Sequence, residues 1–105
     1  MGAAVTSISY YAFYNTQITG LDLSEATALQ TIGDAAFRKT QVTGTLKVGP
    51  AVTSIGPYAF YSTRLTELDL SEATALQTIG DNAFQGTSLA GQTVYKPDGT
   101  SFRLT

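Results

Sequence analysis

Leu21-Asp-Leu-Ser-Glu-Ala-Thr-Ala-Leu-Gln-Thr-Ile-Gly-Asp34 returns letter for letter as Leu68 to Asp81, an offset of 47 residues. Recurrence at this length marks a chain assembled from repeats, and repetition constrains the fold before any local propensity does. A shorter period lies inside the copies. Ala-Phe pairs end at Phe13, Phe37, Phe60 and Phe84, which are 24, 23 and 24 residues apart. Ile8, Ile32, Ile55 and Ile79 each precede those phenylalanines at one fixed distance. Val5, Leu29, Val52 and Leu76 keep step before each Ile, and Ile18, Val42, Leu65 and Leu89 keep step after each Phe. The second unit alone is rebuilt, around Gly49-Pro50-Ala51 and Gly44-Thr45, so near-identity returns every second unit. Between Val5–Gly44 and Val52–Gly91, 28 of 40 aligned positions are identical.

A unit of 23 or 24 residues cannot bury its apolar face alone, whereas stacked coils can, with neighbouring strands about 4.8 Å apart. The alternating pairs Leu21/Leu23, Leu46/Val48 and Leu68/Leu70 predict short parallel strands, with Asp22, Lys47 and Asp69 on the outward face. Ser9-Tyr10, Gly33-Asp34, Gly56-Pro57 and Gly80-Asp81 carry residue types favoured at an N-cap and a first helical position. They predict short α- or 3₁₀-helices reaching Thr16, Thr40, Thr63 and Thr87. The expected fold is α/β, with a short parallel sheet on one face of the coils and short helices on the other.

The expected boundaries are a repeat region of about four coils over residues 1–92 and a capping hairpin over 93–105. Pro97-Asp98-Gly99 between Val94-Tyr95 and Phe102 is the turn signal for that hairpin. At the other end Val5 enters part-way through a unit. We therefore expect an N-terminally truncated repeat whose open edge invites self-association.

The 105 residues suit one small domain, and 43% apolar with 13% charged residues supports a packed core rather than a disordered tail. A net charge of −2, with Arg38-Lys39 as its adjacent basic pair, gives no footprint for nucleic acid. No apolar run approaches the roughly 20 residues of a membrane helix, so no membrane insertion is expected. The chain has neither cysteine nor histidine. That removes disulfides, thiolate and imidazole metal sites, and the usual general base near neutral pH, so neither enzyme nor cofactor is expected.

Ile-Gly-x-x-Ala-Phe followed by Leu-x-x-Leu-x-Leu at this spacing resembles the BspA-type leucine-rich repeats, over roughly residues 3–91. The resemblance implies a right-handed leucine-rich-repeat solenoid. It also implies a surface or secreted protein that binds host or matrix proteins as an adhesin. In many relatives, positions held here by Thr16, Thr27, Thr40, Thr63, Thr74 and Thr87 carry Cys, a departure that leans toward a consensus-built or edited sequence.

Two groups of residues are candidates for recognition. Asp22, Lys47 and Asp69, flanked by Thr19, Thr43 and Thr66, lie on the strand face where leucine-rich repeats generally bind partners. The bland alternative is a solvated charge ladder in which Lys47 relieves two carboxylates. Tyr14, Arg38 and Tyr61 form an aromatic–cation–aromatic column on the other face, of a type enriched in binding hot spots. Its alternative is rings that merely cover neighbouring coils. A carboxylate pair from Asp22 and Asp69 would stand roughly 9.5 Å apart, near the upper end of inverting glycosidase geometry, but a lysine intervenes and so small a sheet implies no cleft. Glu25 and Glu72 match no calcium loop. Two function classes follow: an adhesion module recognising a protein through the strand face, and a spacer without a binding site.

Overall fold

The computed structural model describes residues 4–21, 23 and 26–105. The Ile column builds the longest ladder. β1 (Ser7–Ile8), β2 (Thr31–Ile32), β4 (Ser54–Ile55) and β6 (Thr78–Ile79) pair in parallel, in that order. Ile8, Ile32, Ile55 and Ile79 stand in register across it. A second parallel pair joins β3 (Thr43–Lys47) to β5 (Arg64–Asp69), and β7 (Thr93–Tyr95) and β8 (Ser101–Arg103) form an antiparallel hairpin. The chain is thus a stack of coils with parallel strands, in accord with the repeat read from sequence. Leu21 and Leu23 are not in a strand, so the first of the three predicted strands does not form among the described residues. Asp22 and Glu25 lie outside those residues.

The predicted helices are absent from the described residues, and the reason is a competition for backbone donors. A helix would spend its N–H groups within one segment. In each coil the groups alternate instead. Phe13, Phe37 and Phe60 donate to the Ala36, Ala59 and Ala83 carbonyls of the next coil at 2.8, 2.7 and 2.8 Å. Ala36, Ala59 and Ala83 close turns on Gly33, Gly56 and Gly80 of their own coil at 3.2, 3.2 and 3.3 Å. Left-handed residues make the alternation geometrically possible. Tyr11, Ala35, Tyr58 and Asn82 occupy one such column, at φ 57°, 54°, 59° and 61°. Asn15, Lys39, Ser62 and Gly86 occupy the next, at 56°, 60°, 58° and 83°. Each non-glycine there costs about 1–2 kcal/mol, which the intercoil bonds must offset.

The core is a set of columns. Phe37, Phe60 and Phe84 are fully buried and Phe13 partly so. Their rings stack with centroids 5.0, 5.1 and 5.4 Å apart and planes within 7°. That spacing is close to the strand spacing, so translation from coil to coil fixes the stacking. Each Thr after a Phe closes the column at its edge. The Oγ1 of Thr16, Thr40 and Thr63 donates to the Phe13, Phe37 and Phe60 carbonyls at 2.9 Å, and Thr87 does the same to Phe84. A hydroxyl serves at these positions as a better donor than a thiol would.

At Gly33, Gly56 and Gly80 the backbone of the adjacent coil occupies the space of a Cβ. A Cβ on Gly33 would lie 2.6 Å from the Tyr10 nitrogen, and one on Gly56 2.7 Å from the Asp34 nitrogen. The first coil carries Ser9 at this position, and β1 is the edge strand with no described coil beyond it. At the opposite end Leu104 and Thr105 occupy the place of a following coil. Phe84 donates to the Thr105 carbonyl at 2.8 Å, Asn82 donates to Thr105 Oγ1 at 2.7 Å, and Leu104 is fully buried.

Candidate functional site

The strand face is defined by β3 and β5, where Leu46 opposes Leu68 and Lys47 opposes Asp69. The register slips between Gly44 and Thr45, leaving Thr66 without a partner. Two successive outward residues, Thr66 and Glu67, result. Thr19, Thr43 and Thr66 are exposed. Thr43 donates its N–H to the Thr19 carbonyl at 3.2 Å, and Thr66 Oγ1 donates to the Gly44 carbonyl at 3.4 Å. Thr43 and Thr66 thus lie within β3 and β5 themselves, while Thr19 is in no strand.

Lys47 finds a different carboxylate from the one opposite it. Its Nζ lies 2.9 Å from Glu72 Oε2, and this contact holds the lysine above its usual pKa. Asp69 accepts the Ser71 N–H at 2.8 Å, and that bond chiefly holds its carboxyl below the usual range; Lys47 is a smaller contributor. Asp69-Leu70-Ser71 is an Asx-turn pattern legible in sequence. The face is therefore electrostatically satisfied from within. A recess of about 190 Å³ beside the ion pair is lined by Leu23, Gly49 and Pro50 among others. Among the described residues no three His, Cys, Asp or Glu gather as metal ligands, and no helix is long and apolar enough to cross a membrane.

The turn face holds the aromatic groups. The Arg38 guanidinium carbon lies 5.9 Å from the Tyr14 ring centroid and 4.8 Å from that of Tyr61, so the structure brings together all three residues of the predicted column. It adds Tyr58, which the predicted column does not include, at 5.4 Å. Arg38 is half-buried rather than exposed, and its Nε is buried without a hydrogen-bond partner. Tyr10, Tyr11 and Tyr14 continue the surface edge to face, with centroids 5.8 and 5.4 Å apart. Tyr58 contacts Tyr61 at 5.5 Å, and its hydroxyl accepts a bond from Asn82 Nδ2 at 3.1 Å. Tyr10 and Tyr11 also border an open groove of about 430 Å³ along β1. Tyr58 sits at a left-handed backbone position, φ 59°, which nothing in its sequence neighbourhood signals.

Searches of curated proteins and of solved structures each return no match. A family comparison matches residues 2–100 to the BspA type leucine rich repeat region in 6 copies, nearly the whole chain. The Ile and Phe columns, the parallel strands that stack them and this match agree: the chain belongs to the BspA-type leucine-rich-repeat family.

Proposed function

We propose that this protein is an adhesion-type module that binds a host or matrix protein, acting at a cell surface or outside the cell. The family suggests a repeat protein-interaction module and is generally non-enzymatic. The observation that carries the rest is the turn face. Among the described residues four of the five exposed large hydrophobic side chains are Tyr10, Tyr11, Tyr14 and Tyr58; Tyr14 and Tyr58 lie against Arg38, and Tyr11 and Tyr10 continue from Tyr14 edge to face. Tyrosine and arginine are the residues that dominate binding energy at protein interfaces. The strand face offers less, since Lys47 and Asp69 already have partners within the chain. Recognition through the turn face is thus the favoured reading, ahead of the strand stripe of Asp22, Lys47 and Asp69.

Binding of the intact chain to immobilised matrix proteins, compared between two variants, tests it. Combined Tyr14→Ala and Tyr61→Ala should abolish binding, while combined Lys47→Ala and Asp69→Ala should weaken it little. The reverse pattern moves recognition to the strand face. No binding to any matrix protein by the intact chain leaves the module as a spacer.

A further inference from the structure

Arg38 has no anionic partner within the described chain. Its guanidinium lies against three tyrosine rings, at 4.8, 5.4 and 5.9 Å. Rings offset part of the charge but accept no in-plane hydrogen bond. Among the described residues the ion pairs are Lys47–Glu72 and Lys96–Asp98, and neither involves Arg38. No described side chain accepts a hydrogen bond from it, and Nε is buried and unpartnered. Nε is covered by the chain itself, so the edge open to a partner is the outer one, Nη1 and Nη2, for which no described acceptor stands. The chain as a whole carries a net charge of −2, yet its adjacent basic pair, Arg38-Lys39, stands beside the tyrosines.

We propose that this site takes a carboxylate side chain from an acidic segment of the partner protein; this rests on the protein-binding reading above. A carboxylate meets a guanidinium edge-on through paired N–H bonds, a geometry that leaves the ring contacts on its faces intact. Tyr14 and Tyr61 then wall the contact with apolar surface, where reduced hydration strengthens it. An anionic sugar fits less well. Tyr10, Tyr11 and Tyr14 stand at interplanar angles of 84° and 88°, so they offer no flat platform for a pyranose ring.

Calorimetric titration of the full chain with a blocked peptide of alternating Glu and Gly, and with its Gln counterpart, tests the proposal. The Glu peptide should bind saturably and at least about tenfold more tightly than the Gln peptide. Arg38→Gln should remove that preference. Arg38→Lys should lose most of it, because a point charge replaces the planar fork. Arg103→Gln should change nothing. Should the Arg38 variants unfold, the Arg38 Nη–H resonance of the unmodified protein gives the same answer. It should move with the Glu peptide and stay still with the Gln peptide.

Equal binding of the two peptides, no binding of either, or an unmoved resonance overturns the proposal. Heparin displacing the Glu peptide and binding more tightly at Arg38 overturns the peptide source in favour of an anionic glycan. Failure with the Glu peptide, alongside matrix-protein binding that needs Tyr14 and Tyr61, removes the acidic segment and leaves the protein-binding reading standing.

Discussion

Replacing Gly56 with alanine should be severely damaging for a single-methyl change, as at the equivalent Gly33 and Gly80. The added Cβ would lie 2.6 Å from Asp34 Oδ1, 2.7 Å from the Asp34 nitrogen and 2.8 Å from the Gly33 carbonyl carbon. The last two atoms are backbone of the neighbouring coil, so no side-chain rotation relieves the clash. Relief to ordinary contact requires the coils to separate by about 0.7 Å at that point. The bonds from Gly56 to the Ile32 carbonyl, at 2.8 Å, and from Ala35 to the Pro57 carbonyl, at 3.0 Å, would be stretched past usefulness. Two such bonds at about 1 kcal/mol each, with about 1–3 kcal/mol for overpacking, give a loss of about 3–5 kcal/mol. For a chain of this size that lowers Tm by about 15–30 °C.

Two other glycines supply the scale in the same thermal and urea unfolding assays. Gly44 has open space around it but φ of 81°, so Gly44→Ala should cost about 1–2 kcal/mol from backbone strain alone. Gly20 has open space and no such φ, so Gly20→Ala should be neutral or stabilising by up to about 1 kcal/mol. If Gly56→Ala unfolds no more easily than Gly20→Ala, close approach of the coils is not what the glycine column provides.

Three further outcomes follow from the same stack. A coil fused ahead of residue 4 should order and raise Tm only when Ser9 is also changed to Gly, because the Ser9 Cβ stands where Gly33, Gly56 and Gly80 have none; calorimetry of both fusions decides it. Thr40→Val should cost about 0.5–1.5 kcal/mol in urea unfolding by removing the Oγ1 bond to Phe37, and Thr40→Ser should restore most of it. Asp69 and Asp98 have carboxyls held below their usual range, chiefly by the Ser71 and Thr100 N–H groups, so each favours the folded state above its unfolded pKa. That contribution disappears as pH falls through their lowered folded values, and Asp69→Asn should flatten the acid limb of the stability curve.

The columns were legible because burial leaves a period in the sequence, and Ile32, Phe37 and Leu46 all fall inside as their spacing requires. The helices were misread for an equally physical reason. Gly33-Asp34 looks like a helix start, yet the glycine is there for close approach, as the Tyr10 nitrogen beside it shows. Nothing about Tyr11, Ala35 or Tyr58 advertises a left-handed backbone, which intercoil bonding imposes against local preference. Only Asn15, Asn82 and Gly86 in the same two columns hinted at it. The Ile ladder was likewise hidden, since two-residue strands leave no alternation to detect. At the candidate site, Tyr14, Arg38 and Tyr61 could be stacked from register alone. Tyr58 required knowing the turn, and the partner of Lys47 required knowing that Ser71 already holds Asp69.

Amide and side-chain chemical-shift mapping of the isotope-labelled protein, titrated with a matrix protein that it binds, tests the turn-face reading most directly. The perturbed residues should cluster at Tyr14, Arg38, Tyr58 and Tyr61, with Thr43–Lys47 and Arg64–Asp69 unmoved. Perturbation centred on Thr43–Lys47 and Arg64–Asp69, with the tyrosines and Arg38 unchanged, would contradict it.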